Sequence, residues 1–166
     1  MSRPHPWHYV TRFVTESNWI EGMVREPSPE ETAAHQAFLL ADPTVESLTD
    51  LVAVLQPNAR IRDRTGLDVQ IGAYVPPLGG PEIVPTLESI LALAKDPPSD
   101  ASHPYCVHHR YERLHPFTDG NGRSGRALWL WGMFHHDPVG AWRQVREQGF
   151  LHVWYYQSLR FGQVRL

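Results

Sequence analysis

The sequence contains only one cysteine and no long apolar run, and each of these two features excludes a class of protein. Cys106 alone can form neither a disulfide framework nor a cysteine-rich metal site. No stretch approaches the roughly 18 apolar residues of a membrane span, and Met1–Tyr9 lacks the apolar centre of a signal peptide. The composition, 42% hydrophobic and 20% charged, is typical of a globular protein. We therefore expect one cytoplasmic domain over residues 1–166, with no membrane association.

The net charge of −3 hides an asymmetry between two parts of the chain. Residues 1–104 hold 7 basic and 14 acidic side chains (−7), and residues 105–166 hold 8 basic and 4 acidic ones (+4). The basic part is too small to provide the clustered face of a nucleic-acid-binding protein, so we expect no nucleic-acid partner. It suits a smaller polyanion such as a nucleotide. Every basic side chain except Lys95 is arginine, which is well matched to phosphate.

The apolar spacing along most of the chain is helical. The clearest stripe repeats at i, i+4, i+7, i+8 and i+11 and predicts an amphipathic helix; it consists of Ile83, Leu87, Ile90, Leu91 and Ala94. Shorter stripes predict helices over 48–55 and 127–134. A further pattern predicts an N-terminal helix over 7–22 that ends at Gly22.

One segment departs from the helical pattern. Leu67–Val75 alternates apolar and polar residues between Gly66 and Pro76, which predicts a strand in one arm of a short hairpin over 66–77. The charged run just before it, 60–64, is predicted to be a loop or the other hairpin arm. The expected fold class is all-α with a short β-hairpin.

The most informative segment runs from His115 to Arg126, within a helix-loop-helix predicted over 102–134. Pro116 ends the first helix, and a glycine-rich turn precedes the second. A helix N-terminus that follows glycines presents free backbone N–H groups to an anion. Arg123 and Arg126 lie three residues apart in the first turn of the second helix, so their guanidinium groups share one side.

Three common motifs do not explain this segment. Gly120, Gly122 and Gly125 match the spacing of a dinucleotide-binding loop, but that loop follows a strand, and a helix is predicted here. A Walker A loop would need a Lys-Ser or Lys-Thr ending, which is absent. The adjacent histidine pairs His108/His109 and His135/His136 lack the spacing of a zinc hydrolase.

Two further residues supply chemistry beside the predicted phosphate site. His115 titrates near neutral pH and is a candidate general base. Asp119 is the kind of carboxylate that holds Mg²⁺ together with substrate phosphates. These residues indicate nucleotide-dependent transfer, in which positioning and charge neutralisation supply most of the catalysis.

The segment from His115 to Arg126 resembles the signature of the Fic family, His-Pro-Phe-x-(Asp or Glu)-Gly-Asn-Gly-Arg-x-x-Arg, at every defined position. Three other segments are similar to parts of that family, over roughly residues 10–160. His109–Leu114 resembles the helix that enters the motif, Val69–Pro77 the flap, and Tyr155–Leu159 the C-terminal helix. The resemblance implies a helical Fic core with a β-hairpin flap.

The resemblance also implies an activity, the transfer of AMP from ATP to a Ser, Thr or Tyr hydroxyl of a target protein. It implies that His115 deprotonates that hydroxyl and that Asp119 holds Mg²⁺ between the α- and β-phosphates. The flap residues that would pair with an extended target segment by strand addition are Ile71, Gly72, Ala73 and Tyr74.

The same resemblance implies how the nucleotide is held. Gly120, Asn121 and Gly122 would form the anion hole. Arg123 would contact the β-phosphate, and Arg126 would reach the γ-phosphate.

The N-terminal helix carries a second similarity, to the inhibitory motif of the family, (Ser or Thr)-x-x-x-Glu-(Gly or Asn). Ser17 and Glu21 lie four residues apart, on one helical face. The resemblance implies that Glu21 forms a salt bridge with Arg126 and so inhibits the enzyme from within its own chain.

Several readings of function stay open at this point. The same site could transfer another phosphate-linked group such as UMP or phosphocholine, or remove AMP from a modified protein. A nucleotide-binding regulatory module without transfer is the alternative outside enzymes. The sequence names neither the target nor the trigger that relieves inhibition, and it leaves the oligomeric state open, a homo-oligomer included.

Overall fold

A computed structural model describes residues 7–96, 103–136 and 138–145, and within these ranges the chain forms seven helices and no sheet. The helices are α1 Trp7–Ile20, α2 Pro29–Leu40, α3 Val45–Leu55, α4 Ile83–Lys95, α5 His103–Leu114, α6 Asn121–His136 and α7 Pro138–Val145. The predicted mostly helical class is confirmed. None of the helices in these ranges is long and apolar enough to cross a lipid bilayer.

Side-chain caps and a glycine determine where the first three helices begin or end. α2 begins at Ser28 with a capping box, in which the Ser28 hydroxyl accepts from the Glu31 N–H and the Glu31 carboxylate accepts from the Ser28 N–H. Thr44 and Ser47 form the same reciprocal pair at the start of α3. Beyond the end of α1, Gly22 has a φ of +76°, a left-handed conformation that glycine adopts without strain.

Helix α6 is the centre of the domain. It packs against α1, α2, α3, α5 and α7, and its side chains are buried almost continuously from Arg123 to Met133. Trp129 is fully buried and stacks on Phe13 of α1, with ring centroids 6.5 Å apart. Because α6 also begins in the glycine-rich segment, the candidate site is built on the most constrained element of the core.

Helix α4 buries the stripe that its sequence predicts. Its buried residues are Ile83, Leu87, Ile90, Leu91 and Ala94. This face packs on α5 and α3, which places α4 behind the helix that leads into the motif loop.

The predicted β-hairpin over 66–77 is not seen. Residues in this segment are not paired as strands; instead Ile71 and Tyr74 exchange two backbone hydrogen bonds of 2.9 Å and close a tight turn. Gly72, with a φ of +57°, lies inside that turn. The pairing does not extend further because Pro76 and the residue after it have no N–H to donate, and a two-stranded hairpin alone is marginal in stability.

The C-terminal helix expected from the resemblance at Tyr155–Leu159 lies outside the described residues.

Candidate active site

The loop between α5 and α6 contains two left-handed residues. His115, directly after α5, has a φ of 50°, and Gly120, directly before α6, has a φ of 77°. A non-glycine residue in this region is strained and persists only where its surroundings fix it. The two turns reverse the chain, so that α5 and α6 pack side by side with the loop at one end.

The segment at 60–62 pairs with this loop and holds its backbone. Ile61 and Phe117 form an isolated antiparallel bridge. On either side of it the Arg62 N–H donates to the Pro116 carbonyl at 2.8 Å, and the Thr118 N–H donates to the Arg60 carbonyl at 2.8 Å.

Side chains inside the loop complete this support. The Asn121 side chain accepts from the Phe117 N–H at 2.9 Å and donates to the Phe117 carbonyl at 2.8 Å. The Ser124 hydroxyl donates to the Gly120 carbonyl at 2.9 Å and lies 2.7 Å from the Tyr111 hydroxyl of α5. The Asn121 side chain therefore shapes the loop, and its backbone belongs to the N-terminal turn of α6.

Arg126 lies at the contact between α6 and α1 and is fully buried. Its Nε donates to the Ser17 hydroxyl at 2.8 Å, and its Nη2 donates to the Ser17 carbonyl at 3.0 Å. Nη2 also donates to Glu21 Oε1 at 2.6 Å. The structure thus brings together three residues predicted from the sequence, Ser17, Glu21 and Arg126, with the Glu21 carboxylate as the part that faces solvent, at 39% exposure.

Gly122, in the first turn of α6, lies next to the contact between Glu21 and Arg126. A methyl group at its Cα would collide with Glu21 Oε1 and would come within 3.1 Å of Arg126 Nη1. The absence of a side chain at Gly122 is therefore what lets the carboxylate approach the first turn of α6, where N–H groups have no partner inside the helix.

Arg123, one turn before Arg126, faces α2 and α3. Its Nη2 donates to Gln56 Oε1 at 3.1 Å, and its Nη1 lies 3.9 Å from Glu31 Oε1. Glu31 is nearly buried and accepts two hydrogen bonds from Arg25, at 2.7 and 2.8 Å. Arg25 lies in the segment that follows Gly22, so Glu31 connects the end of α1 to the motif arginine.

His115 is mostly buried, and burial lowers the pKa of its imidazole. Hydrogen bonding to the Glu112 carbonyl, 3.3 Å from Nδ1, opposes that effect. The neutral imidazole is the form favoured near neutral pH, and it is the form a general base needs. Asp119 and Glu21 lie near enough to raise this pKa, and Arg62 lies near enough to lower it.

Glu112 is a second titratable group beside His115. Its Oε2 lies 3.9 Å from His115 Nδ1, and its Oε1 is buried with no hydrogen-bond partner among the described residues. Burial raises the pKa of this carboxyl to about 8, although Arg126 acts in the opposite direction. At neutral pH the group is therefore largely protonated.

Asp119 is exposed at the tip of the loop, where its Oδ1 accepts from the Gly120 N–H at 2.6 Å. No cluster of three or more acidic, histidine or cysteine residues suited to a metal occurs in the described ranges. A single carboxylate still fits Mg²⁺, since proteins commonly hold that ion through one or two carboxylates together with substrate phosphates.

The predicted flap residues reach the same end of the molecule. The Tyr74 hydroxyl donates to the Arg113 carbonyl at 2.9 Å, and the Arg113 guanidinium lies over the Tyr74 ring at 5.9 Å. Ile71 and Tyr74 are both about 40% exposed, at 39% and 37%. The turn that contains Gly72 and Ala73 is therefore attached to the last turn of α5, two residues before His115.

The roles of three residues of this site were missed from the sequence. Arg62 belongs to the charged run predicted to be a loop or a hairpin arm, and it is fully buried. Glu31 carried no motif. Glu112 was predicted only as part of the helix that enters the motif, although a carboxylate three residues before His115 on a helix was a usable signal.

The helical fold and this loop place a histidine a few residues before the N-terminus of α6. The family model of the Fic/DOC family matches residues 50–132, half of the chain, and the protein belongs to that family. Members of this family are in general enzymes that transfer phosphate-containing groups of nucleotides. The matched range contains the flap segment and the whole loop from His115 to Arg126, whereas Ser17 and Glu21 lie outside it.

Proposed function

We propose that this protein is a protein adenylyltransferase that transfers AMP from ATP to a hydroxyl side chain of a target protein. One observation carries the proposal: the turn at Gly120 starts α6 directly beyond His115 and Asp119. The base, the carboxylate and the N-terminal amides of α6 thus belong to one short loop. Arg123 and Arg126 follow in the first two turns of α6, and their charge suits a triphosphate.

The reaction is a substitution at the α-phosphorus of ATP. The target hydroxyl oxygen forms a bond to that phosphorus while the bond to the α–β bridging oxygen breaks. Pyrophosphate leaves with the electron pair of the broken bond, and the hydroxyl proton passes to His115. The products are the AMP ester of the side chain and pyrophosphate. The backbone amides of Gly120, Asn121 and Gly122 would stabilise charge on the phosphates.

Asp119 would hold Mg²⁺ when nucleotide is bound. The ion would neutralise phosphate charge in the site. This role uses the exposed carboxylate at the loop tip and leaves His115 to accept the proton.

We propose further that α1 inhibits the enzyme. Arg126 makes all three of its hydrogen bonds described above to Ser17 and Glu21, and it is fully buried, so the γ-phosphate of ATP has no access to its guanidinium. Replacing the Glu21 carboxylate by a phosphate oxygen would require α1 to shift. The inhibited state is therefore the resting state of the protein.

Target docking is proposed at the turn around Gly72. Ile71 and Tyr74 are partly exposed there, and the residues on either side are not paired with any strand of the described chain. An extended target segment could add its backbone hydrogen bonds to this edge, which gives affinity with little demand on sequence.

The proposal is tested by transfer of label from α-labelled ATP to protein in the presence of Mg²⁺. Wild type, Glu21→Gly and Glu21→Gly/His115→Ala are compared, each with cell lysate as a source of targets. Glu88→Gln, on an exposed part of α4, is the matched control for the loss of one carboxylate.

Label on protein with Glu21→Gly, and its loss when His115 is also replaced, would support the proposal. No label in any lane, with binding of ATP verified, would contradict adenylylation. The same assay with labelled UTP, or with an AMP-modified protein as substrate, then tests the alternative reactions of this site.

A further inference from the structure

Arg62 is a buried arginine that lies outside the signature motif. Its guanidinium is fully buried and donates four hydrogen bonds, all of them to backbone carbonyls. Nε donates to His115 at 2.7 Å, Nη2 to Leu114 at 2.8 Å, and Nη1 to Pro77 at 2.8 Å and Leu67 at 3.3 Å. An isolated buried charge is costly unless such bonds satisfy it, so this position is demanding on residue type.

The four carbonyls belong to two different parts of the site. Leu114 and His115 form the junction between α5 and the motif loop, where the backbone is in the strained left-handed conformation. Leu67 and Pro77 lie at the two ends of the flap segment. The guanidinium of Arg62 therefore links the backbone of His115, the candidate general base, to the two ends of the flap segment.

The backbone of Arg62 reinforces the same connection. Its N–H donates to the Pro116 carbonyl at 2.8 Å, and its carbonyl accepts from the Gly80 N–H at 2.9 Å. The side chain of Arg62 thus contacts the motif loop and both ends of the flap segment, and its main chain contacts the motif loop and Gly80, three residues beyond that segment.

We propose that Arg62 is a positioning residue for the transfer reaction, which holds the His115 backbone in its left-handed conformation and fixes the flap to the same guanidinium. The inference rests on the proposed function, since it assigns the reacting histidine and the docking segment to one support. It follows that Arg62 fixes the distance between the hydroxyl of a docked target and the imidazole that receives its proton.

The titratable and charged groups that face His115 come from four parts of the chain. Glu112 lies on its own helix, Asp119 in the motif loop, Glu21 at the end of α1 and Arg62 in the paired segment. Of these, Arg62 alone is a cation, and its charge favours the neutral imidazole. Loss of that charge should therefore raise the pKa of His115. Loss of packing would raise it as well, because burial also lowers it. A substitution that keeps the charge separates the two causes, since only a packing effect would then raise the pKa.

The test uses Arg62→Gln and Arg62→Lys, each in the full chain that also carries Glu21→Gly. Lysine keeps the charge but has three donors on one nitrogen, so it cannot reach four carbonyls in two segments. Arg64→Gln is the matched control, because Arg64 belongs to the same charged run and its side chain is 82% exposed.

Two readouts separate positioning from a general structural role. The first is transfer kinetics: Arg62→Gln should lower kcat by about 100-fold, the effect of a misplaced reacting group, while the affinity for ATP is unchanged. Arg62→Lys should restore part of that loss. The second is the pKa of His115 from NMR titration of labelled histidine, with the resonance identified by its absence in His115→Ala. This pKa should rise in Arg62→Gln and stay near the parent value in Arg62→Lys and Arg64→Gln.

Undiminished transfer in Arg62→Gln, or an unchanged His115 pKa, would overturn the proposal. Loss of ATP binding together with transfer, or failure of both Arg62 variants to fold, would also overturn it, because each would assign Arg62 a general structural role. If the Glu21→Gly parent itself transfers no AMP, the proposed function fails, and the Arg62 proposal is decided by the His115 pKa alone.

Discussion

The carboxylate of Glu21 accepts a hydrogen bond of 2.6 Å from Arg126, a residue 105 positions further along the chain. Arg126 is fully buried, and its side chain donates to the side chains of Ser17 and Glu21. Of these two partners, Ser17 is buried and Glu21 is partly exposed to solvent. A substitution at Glu21 therefore changes the accessibility of Arg126 without disturbing the core. This asymmetry makes the contact testable by mutation.

Glu21→Gly and Arg126→Ala should not be additive in their effects on transfer. Removal of Glu21 frees a guanidinium that binds phosphate, so activity rises; once Arg126 is absent, there is nothing left to free. We expect Glu21→Gly to raise transfer strongly in the wild-type background and to change it little in the Arg126→Ala background. The measurement is a double-mutant cycle on AMP transfer. Equal stimulation in both backgrounds would mean that Glu21 acts elsewhere.

Arg25→Gln should weaken inhibition by α1 without changing any residue of the segment from His115 to Arg126. Arg25 makes a two-pronged ion pair with Glu31 and so anchors the segment that follows α1. Arg25 is about half exposed, so the loss in stability should be modest, about 1 kcal/mol, and basal transfer should rise to a level below that of Glu21→Gly. Arg12→Gln, a more weakly paired arginine on α1, is the control. Basal transfer equal to wild type would show that this segment does not help to hold α1.

Glu112→Gln should stabilise the protein at alkaline pH. The folded pKa of Glu112, about 8, lies above the value of 4.5 in the unfolded chain, so folding retains a proton that the unfolded chain has released. The free energy of unfolding contributed by Glu112 therefore falls as pH rises from about 4.5 to about 8. Glutamine removes this loss, and the free energy of unfolding of the variant should exceed that of wild type by up to roughly 5 kcal/mol above that range.

Thermal unfolding of wild type and Glu112→Gln between pH 5 and pH 9 measures this difference, with Glu88→Gln as the control for an exposed carboxylate. The two curves should meet at the acidic end. A constant difference at all pH values would contradict the raised pKa.

Asn18→Leu should stabilise the docked position of α1. Asn18 is fully buried, and neither atom of its amide has a hydrogen-bond partner among the described residues. A buried unsatisfied polar group costs about 1 to 3 kcal/mol, which an apolar side chain of similar shape does not. We expect a higher midpoint of chemical denaturation and lower basal transfer. A destabilised Asn18→Leu would show that the amide is satisfied in solution.

The sequence predicted the parts of this site that depend on local pattern. The helical stripe of α4, the turn at Gly120 and the face shared by Ser17 and Glu21 all follow from spacing within one element. The family resemblance then identified which element Glu21 would meet, which no local pattern contains.

The parts that were missed depend on contacts between distant segments. Arg62 belongs to the same charged run as the exposed Arg64, and only the fold places one among backbone carbonyls and the other in water. The flap shows the opposite error. The alternation of apolar and polar residues over Leu67–Val75 predicted a strand. A strand forms only where a second segment pairs with it, and in the described chain the pairing within this segment is limited to Ile71 and Tyr74.

The long separation between Glu21 and Arg126 has a consequence for the newly made chain. A ribosome synthesises proteins from the N-terminus at about 5 to 20 residues per second, so α1 precedes Arg126 by roughly 5 to 20 seconds. When Arg126 emerges and α6 folds, the residues of α1 that cover it have already been synthesised. A complete nucleotide site is therefore never present in the growing chain before the residues of α1 that inhibit it.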